Sequence, residues 1–364
     1  MKDSRSVVNS LLRREKLQRI ATCDYFWPDT LKNWLGQGYP ADKDGNPAAP
    51  EDVFDLDLAF VGGWFDVLPL PNVKEIVEES DEWVIHKNGA GASLRYWKNR
   101  SGCPEHIDFE MTSRTIWEQK YRSHLLQVDK NRLDIKGARD MFKKRGEQGF
   151  WTYYGNLFVW ENMRQSMGDL CLYENMLADP AWIHDYNRVY TDFFKAHYDV
   201  MFEEVGMPDG IWVYEDLGYK NGTFCSPKTC EEILFPYYKE LVDYFHSHGL
   251  PVVLHSCGNI EGILDQIVAT GFDALNPMEV KAGCDVVRFA QKYANKLTFI
   301  GGMDVRILES GDRKEIKDEI LRLTKELKGL GASYVFASDH SISTNVRYDD
   351  YRYAIDLVKE NGNY

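Results

Sequence analysis

The stretch Pro251-Val-Val-Leu-His-Ser-Cys-Gly258 ends a run of strand-forming residues on a histidine and a cysteine two positions apart. In an extended strand successive side chains point to opposite faces, so Val253, His255 and Cys257 share one face and Ser256 looks away. An imidazole and a thiol aimed at one point are two of the three protein ligands of a catalytic zinc site, whose fourth position stays open for substrate. Both donors suit zinc, and a thiolate makes the metal electron-rich. The competing reading is a histidine hydrogen-bonded inside a core beside a cysteine that fills space. His-x-Cys alone is a weak pattern, and its weight depends on where the strand ends.

Eight short apolar runs read as strands, at 19–25, 54–60, 149–154, 211–215, 251–256, 273–277, 297–301 and 334–338. In the second half they are separated by segments of helical periodicity at 230–249, 260–271, 285–294 and 312–331, several of which stop at a glycine. Strand alternating with helix predicts parallel strands. Eight such units predict an α/β fold, a (β/α)8 TIM-type barrel, with residues 1–20 as an amphipathic N-terminal helical extension. Barrel enzymes carry their chemistry at the C-terminal ends of strands. The residues falling there are Tyr153 and Asn156, Glu215 and Asp216, His255 and Cys257, Asn276 and Glu279, Asp304, and Asp339 with His340. Singly, each also reads as a helix cap or a loop residue.

Residues 1–364 read as one barrel domain whose segment at about 60–130 breaks the rhythm. There, alternation on either side of Asn88-Gly89-Ala90-Gly91 predicts an inserted β-hairpin. A net charge of -14, with lysines and arginines scattered, repels phosphate backbones and anionic lipid and argues against a nucleic-acid partner. No apolar run reaches the length of a membrane span, and the N-terminus lacks a signal-peptide core, so the expected location is the cytoplasm. Seven cysteines, an odd and widely spaced set, are expected as reduced thiols.

The segments "IWVYEDLGYKNGTFCSPKTCEEILFPYYKELVDYFHSHG", "HSCGNIEGIL", "LNPMEVKAGCDVV", "FIGGMDVRIL" and "SDHSISTNVRYDDY" resemble the uroporphyrinogen decarboxylase superfamily, and within it the zinc methyltransferases that exchange methyl groups with a corrinoid protein. The resemblance implies a distorted eight-stranded barrel, zinc held by His255, Cys257 and a third residue after the last strand, and a corrinoid protein as partner. Those methyltransferases place a cysteine in the last turn. This chain has Ser338-Asp339-His340 there, which makes His340 the positional match, Asp339 the next and Cys284 the other available thiol. The decarboxylases of the superfamily instead use an arginine-rich N-terminal segment to grip substrate carboxylates, and residues 21–40 contain no arginine.

The expected activity is methyl transfer between a corrinoid and a methoxylated aromatic, a methylamine or a thiol. In one version a zinc-bound thiol is activated as the methyl acceptor; in the other zinc acts as a Lewis acid on the methylated substrate. Glu215 and Asp216 are the nearest acids, as proton donors or metal contacts, and Tyr153, Asn156 and Asn276 are candidates to contact the cofactor. Tyr25, Phe26, Trp27, Trp34, Tyr39, Trp64, Phe65, Tyr153, Tyr154, Phe158 and Trp160 are a dense aromatic set that reads mostly as core, with some expected to line an apolar pocket for an aromatic or methylated substrate. The alternatives are a uroporphyrinogen decarboxylase-like lyase and a metal-free barrel that binds a small molecule without catalysis.

Overall fold

The computed structural model describes residues 3–15 and 17–364. Eight parallel strands form the central sheet: β1 (Ala21–Thr22), β2 (Leu58–Gly62), β3 (Trp151–Asn156), β4 (Gly210–Tyr214), β5 (Val252–His255), β6 (Ala274–Asn276), β7 (Thr298–Ile300) and β8 (Tyr334–Phe336). They pair in the order β1-β8-β7-β6-β5-β4-β3-β2. Between β1 and β2 there is no ladder. Asp57 closes the gap, its backbone N–H donating to Thr22 O at 2.8 Å while its carboxylate accepts from Thr22 N at 2.8 Å. The result is a nearly closed barrel ringed by helices. The strands are apolar on both faces because helices cover the outside and side chains fill the inside.

All eight strands lie within a few residues of the predicted runs, and β2 is the most displaced. It starts at Leu58 because residues 50–53 form a short helix and Asp55 takes a positive φ of 53° before the strand begins.

Helix α1 (Ser4–Arg13) closes the N-terminal end of the barrel. Its Val7, Val8, Leu11 and Leu12 pack with the inward residues Leu58, Trp151, Trp212, Val253, Ala274, Ile300 and Val335. Polar ties hold the helix in place: Trp151 Nε1 donates to Asn9 Oδ1 (3.0 Å), Thr298 Oγ1 to Leu11 O (2.7 Å), and Arg14 to Asp273 O (3.0 Å). No helix among the described residues is long and apolar enough to cross a membrane.

The insertion is larger than the predicted hairpin. Strands 83–88 and 92–97 pair about the Asn88–Gly91 turn, and strands 74–79 and 105–109 flank them to make a four-stranded antiparallel sheet. Asn88 Oδ1 accepts from Ala90 N and Ala92 N, and a Cβ on Gly89 would lie 1.7 Å from Leu70 O, so the turn needs glycine there. The sheet leans on helix α2 (Val159–Ala178), where Gly168 admits the Phe109 ring. The loop between strands 92–97 and 105–109 is tied to the strand-1 side of the mouth by Ser101 N, which donates to Asp29 Oδ2 at 2.6 Å.

Candidate metal and active site

Strand register sets the site. His255, the last residue of β5, lies opposite Tyr214 of β4 on one side and Asn276 of β6 on the other. Asp216 and Cys257 follow two residues after Tyr214 and His255. Cys257 N donates to Asp216 Oδ1 at 2.8 Å, which joins the two strand ends. Cys257 Sγ lies 3.5 Å from His255 Nε2, and Asp216 Oδ1 lies 3.7 Å from the same nitrogen. Donor atoms of Asp216, His255 and Cys257 all fall within 4.8 Å of one another, the one group of this kind among the described residues. The side chains of His255 and Asp216 are 25% and 41% exposed, so the cluster opens toward the mouth.

The ring orientation of His255 is imposed from behind. Asn276 Nδ2 donates to Ile300 O at 3.0 Å, so its Oδ1 faces His255 and accepts from Nδ1–H at 2.5 Å. That bond places the proton on Nδ1 and leaves the Nε2 lone pair facing Cys257 and Asp216, the arrangement that metal-bound imidazoles adopt. Burial, with the nearby carboxylates of Asp216 and Glu279, pushes the Cys257 thiol up from its ordinary value.

These donors fit zinc. Zinc takes thiolate, imidazole and carboxylate ligands, and a tetrahedron with Zn–S of about 2.3 Å and Zn–N of about 2.05 Å has an S–N edge of about 3.5 Å. The S–N separation here is 3.5 Å. The turn after Cys257 is rigid: Gly258 sits at φ 80°, where a Cβ would lie 2.1 Å from the Gly218 backbone, and its N–H donates to Glu279 Oε2 at 2.7 Å. If Asn276 sets the tautomer, Asn276→Ala should weaken zinc binding about 10- to 100-fold, read by competition with a chelating dye. An unchanged affinity would remove Asn276 from the site.

The other expected residues lie elsewhere. Glu215, paired with Asp216 in the sequence reading, faces the opposite way. Fully buried, it accepts from the backbone N–H groups of Phe158 (2.7 Å), Trp160 (2.8 Å) and Glu161 (3.3 Å) and from the Tyr238 hydroxyl, so it anchors the start of α2. Asn156 is buried, donating to Gly63 O and accepting from Leu157 N, so it ties the end of β3 to neighbouring backbone. Both carboxylate oxygens of Asp339 are engaged, by Val280 N (2.9 Å) and Val305 N (2.8 Å). His340 stands outside the donor cluster, its Nδ1 turned to Ser341 O at 3.4 Å. Cys284 is buried and donates weakly to Gly258 O, supporting the turn from below. Asp304 caps a helix at Arg306 N and binds the Arg306 guanidinium.

Aromatic residues wall the mouth. The Tyr214 ring is 5.4 Å from His255 and 5.6 Å from Trp64, and Tyr153 is 5.2 Å from Trp212 and 5.9 Å from Phe60. Tyr25, Phe60 and Trp64 are exposed although large and apolar, as expected of a surface that meets a ligand. Phe26, Trp34 and Tyr39 are instead buried with Phe54, Tyr348 and Tyr351.

Residues 165–361, more than half of the chain, match the family model of uroporphyrinogen decarboxylase (URO-D), and the chain belongs to that family. Among solved structures, a methyltransferase from Methanosarcina mazei superposes with a TM-score of 0.71 at 14% identity, covering 99% of each chain, and it shares the fold. A glycosylated endo-β-1,4-xylanase from Gloeophyllum trabeum matches at a TM-score of 0.41 and 12% identity, over 64% of this chain and 83% of that one. No curated protein matches the sequence.

Proposed function

We propose that this chain is a zinc-holding methyltransferase that moves a methyl group between a small methylated substrate, or a thiol, and a corrinoid carried by a partner protein. The observation that carries the reading is the sulfur, nitrogen and oxygen donor set of Cys257, His255 and Asp216 at the open mouth of the barrel. The shared fold of the Methanosarcina mazei methyltransferase supports it. A zinc ion held there would supply a Lewis acid without proton bookkeeping. Asn276 fixes the imidazole, the Cys257–Asp216 bond fixes the two strand ends, and the aromatic wall excludes water from one side of the reacting groups. Decarboxylation of a polycarboxylate fits less well. Residues 21–40 bring no guanidinium, and Arg164 and Arg306 are engaged by Glu161 and Asp169 and by Asp304.

The test is to purify the protein without chelator, assay its metal, and mix it with reduced corrinoid and a panel of methoxylated aromatics and methylamines, following the corrinoid absorption spectrum. A methylated corrinoid with a thiol tests the reverse direction. Turnover that needs zinc and vanishes in His255→Ala supports the reading; decarboxylation of uroporphyrinogen in its place supports the lyase. The third ligand is tested separately: Asp216→Ala should weaken zinc binding at least about 10-fold while His340→Ala leaves it unchanged. The reverse result would return the third position to His340.

A further inference from the structure

We infer that Tyr153 and Tyr214 form a hydrogen-bond-donating subsite in the upper barrel for the oxygen of a methyl ether, so that the methylated substrate is an aryl ether rather than a methylated ammonium. The inference rests on the methyltransferase reading and adds the substrate class to it.

The two phenols come from adjacent strands. Tyr153 is in β3 and packs on Trp212; Tyr214 ends β4, beside the His255 ring and level with it in the sheet. Their hydroxyls interact with each other. Beyond that contact neither has a hydrogen-bond partner among the described residues, and both side chains are half-buried rather than sealed in the core. A third donor is close by: Trp212 is 6% exposed, its ring packs against Tyr153 and Tyr214, and its buried Nε1–H has no partner. Donors without acceptors are costly in an apolar setting, so such a cluster suits a ligand that brings lone pairs.

A phenol ordinarily titrates at about pH 10, so both hydroxyls keep their protons at neutral pH. An aryl ether oxygen accepts hydrogen bonds, and it accepts them far better as it becomes a phenoxide. A tetraalkylammonium carries no lone pair and would leave the remaining hydroxyl hydrogen of the tyrosine pair and the Trp212 Nε1–H unmet. The aromatic faces alone would suit such a cation; the unpaired donors decide against it.

In the transfer the methyl C–O bond breaks and its electron pair stays on oxygen. The methyl would pass to the reduced corrinoid of the partner, which would supply the electron pair for the new bond. The ether oxygen replaces the contact between the two tyrosine hydroxyls, so that both donate to the developing oxyanion, and solvent later supplies its proton, so neither tyrosine is consumed. Donors preset where charge develops are each worth about 100- to 1,000-fold in rate.

The test uses full-length zinc-loaded protein and two variants that remove only the hydroxyls, Tyr153→Phe and Tyr214→Phe. With reduced corrinoid, transfer from methoxybenzene should fall about 100-fold in Tyr214→Phe, and transfer from 4-nitromethoxybenzene, whose phenoxide needs less help, by less than about 5-fold. Equal losses across leaving groups, or preferred turnover of tetramethylammonium that both variants retain, would overturn the inference. Binding of 2-methoxyphenol by calorimetry is independent of turnover and should weaken about 10-fold in each variant. Unchanged phenol binding overturns the subsite whatever the turnover. If the parent protein turns over no methyl donor while phenol binding still weakens in the variants, the methyltransferase reading fails and the oxygen subsite stands.

Discussion

Cys257→Ser should leave the protein unable to retain zinc, with affinity at least about 100-fold below the parent. The substitution exchanges a thiolate for a hydroxyl that does not ionise near neutral pH, while His255 and Asp216 keep their positions. The Cys257 thiol is pushed up by burial and by the Asp216 and Glu279 carboxylates, so it enters metal binding with its proton on, and binding must release that proton. Zinc titration in weak buffer with a pH indicator should therefore show about one proton released by the parent and none by the variant. Full zinc occupancy in Cys257→Ser after dialysis against a mild chelator would place the metal elsewhere. Methyl transfer should fall with the zinc, and a variant that lost zinc but kept full activity would separate the cluster from the chemistry.

The second large effect is on stability, at Glu215. Removing its carboxyl in Glu215→Ala leaves three backbone N–H groups at the start of α2 and the Tyr238 hydroxyl without their acceptor inside the core. At about 1–3 kcal/mol per orphaned group, partly offset by water entering the space, the loss should be about 4 kcal/mol. Chemical denaturation with circular dichroism measures it, and a loss below about 1 kcal/mol would show that another group caps α2. Burial, working against the surrounding donors, pushes the Glu215 carboxyl up to about 8. A folded pKa above the unfolded one means that the native state binds more protons between about pH 4.5 and 8, so this group's contribution to stability falls as pH rises through that window. Glutamine does not titrate, so the deficit of Glu215→Gln relative to the parent should shrink from pH 5 to pH 8. Parallel stability curves would mean that the folded carboxylate is already ionised.

Much of the frame was legible because it follows from periodicity. Apolar runs of strand length followed by amphipathic helices mark a parallel barrel, and the side-chain alternation of β5 brings His255 and Cys257 to one face. The same alternation, carried across strand ends, also sorts the neighbours. Trp212 and Tyr214 point inward, so Asp216 joins them and Glu215 cannot; Val335 and Ala337 point inward, so His340 falls out of phase. Treating each rim as an unordered set of polar residues hid that distinction. Asp339 is in phase, yet two loop N–H groups claim its carboxylate, a contact between distant segments that one strand's pattern does not record. The flanking strands of the insertion were hidden for another reason. Lys74–Glu79 is exposed on both faces, so it shows none of the apolar alternation by which a half-buried strand is recognised. The central turn was readable because Asn88 and Gly89 have local geometric duties.

Helix α1 bears on kinetics as well as packing. With Val7, Val8, Leu11 and Leu12 stoppering one end of the barrel, the interior is a blind well, and everything that reacts must use the same doorway. If the chain works as proposed, a small methyl donor would have to be seated before a bulky corrinoid protein covered the opening, and the demethylated product could depart only after that protein withdrew. A methyltransferase of that kind would work by compulsory order, with the small substrate first in and its product last out. Excess corrinoid protein should then act as a lid that traps, slowing turnover at high concentration instead of saturating it.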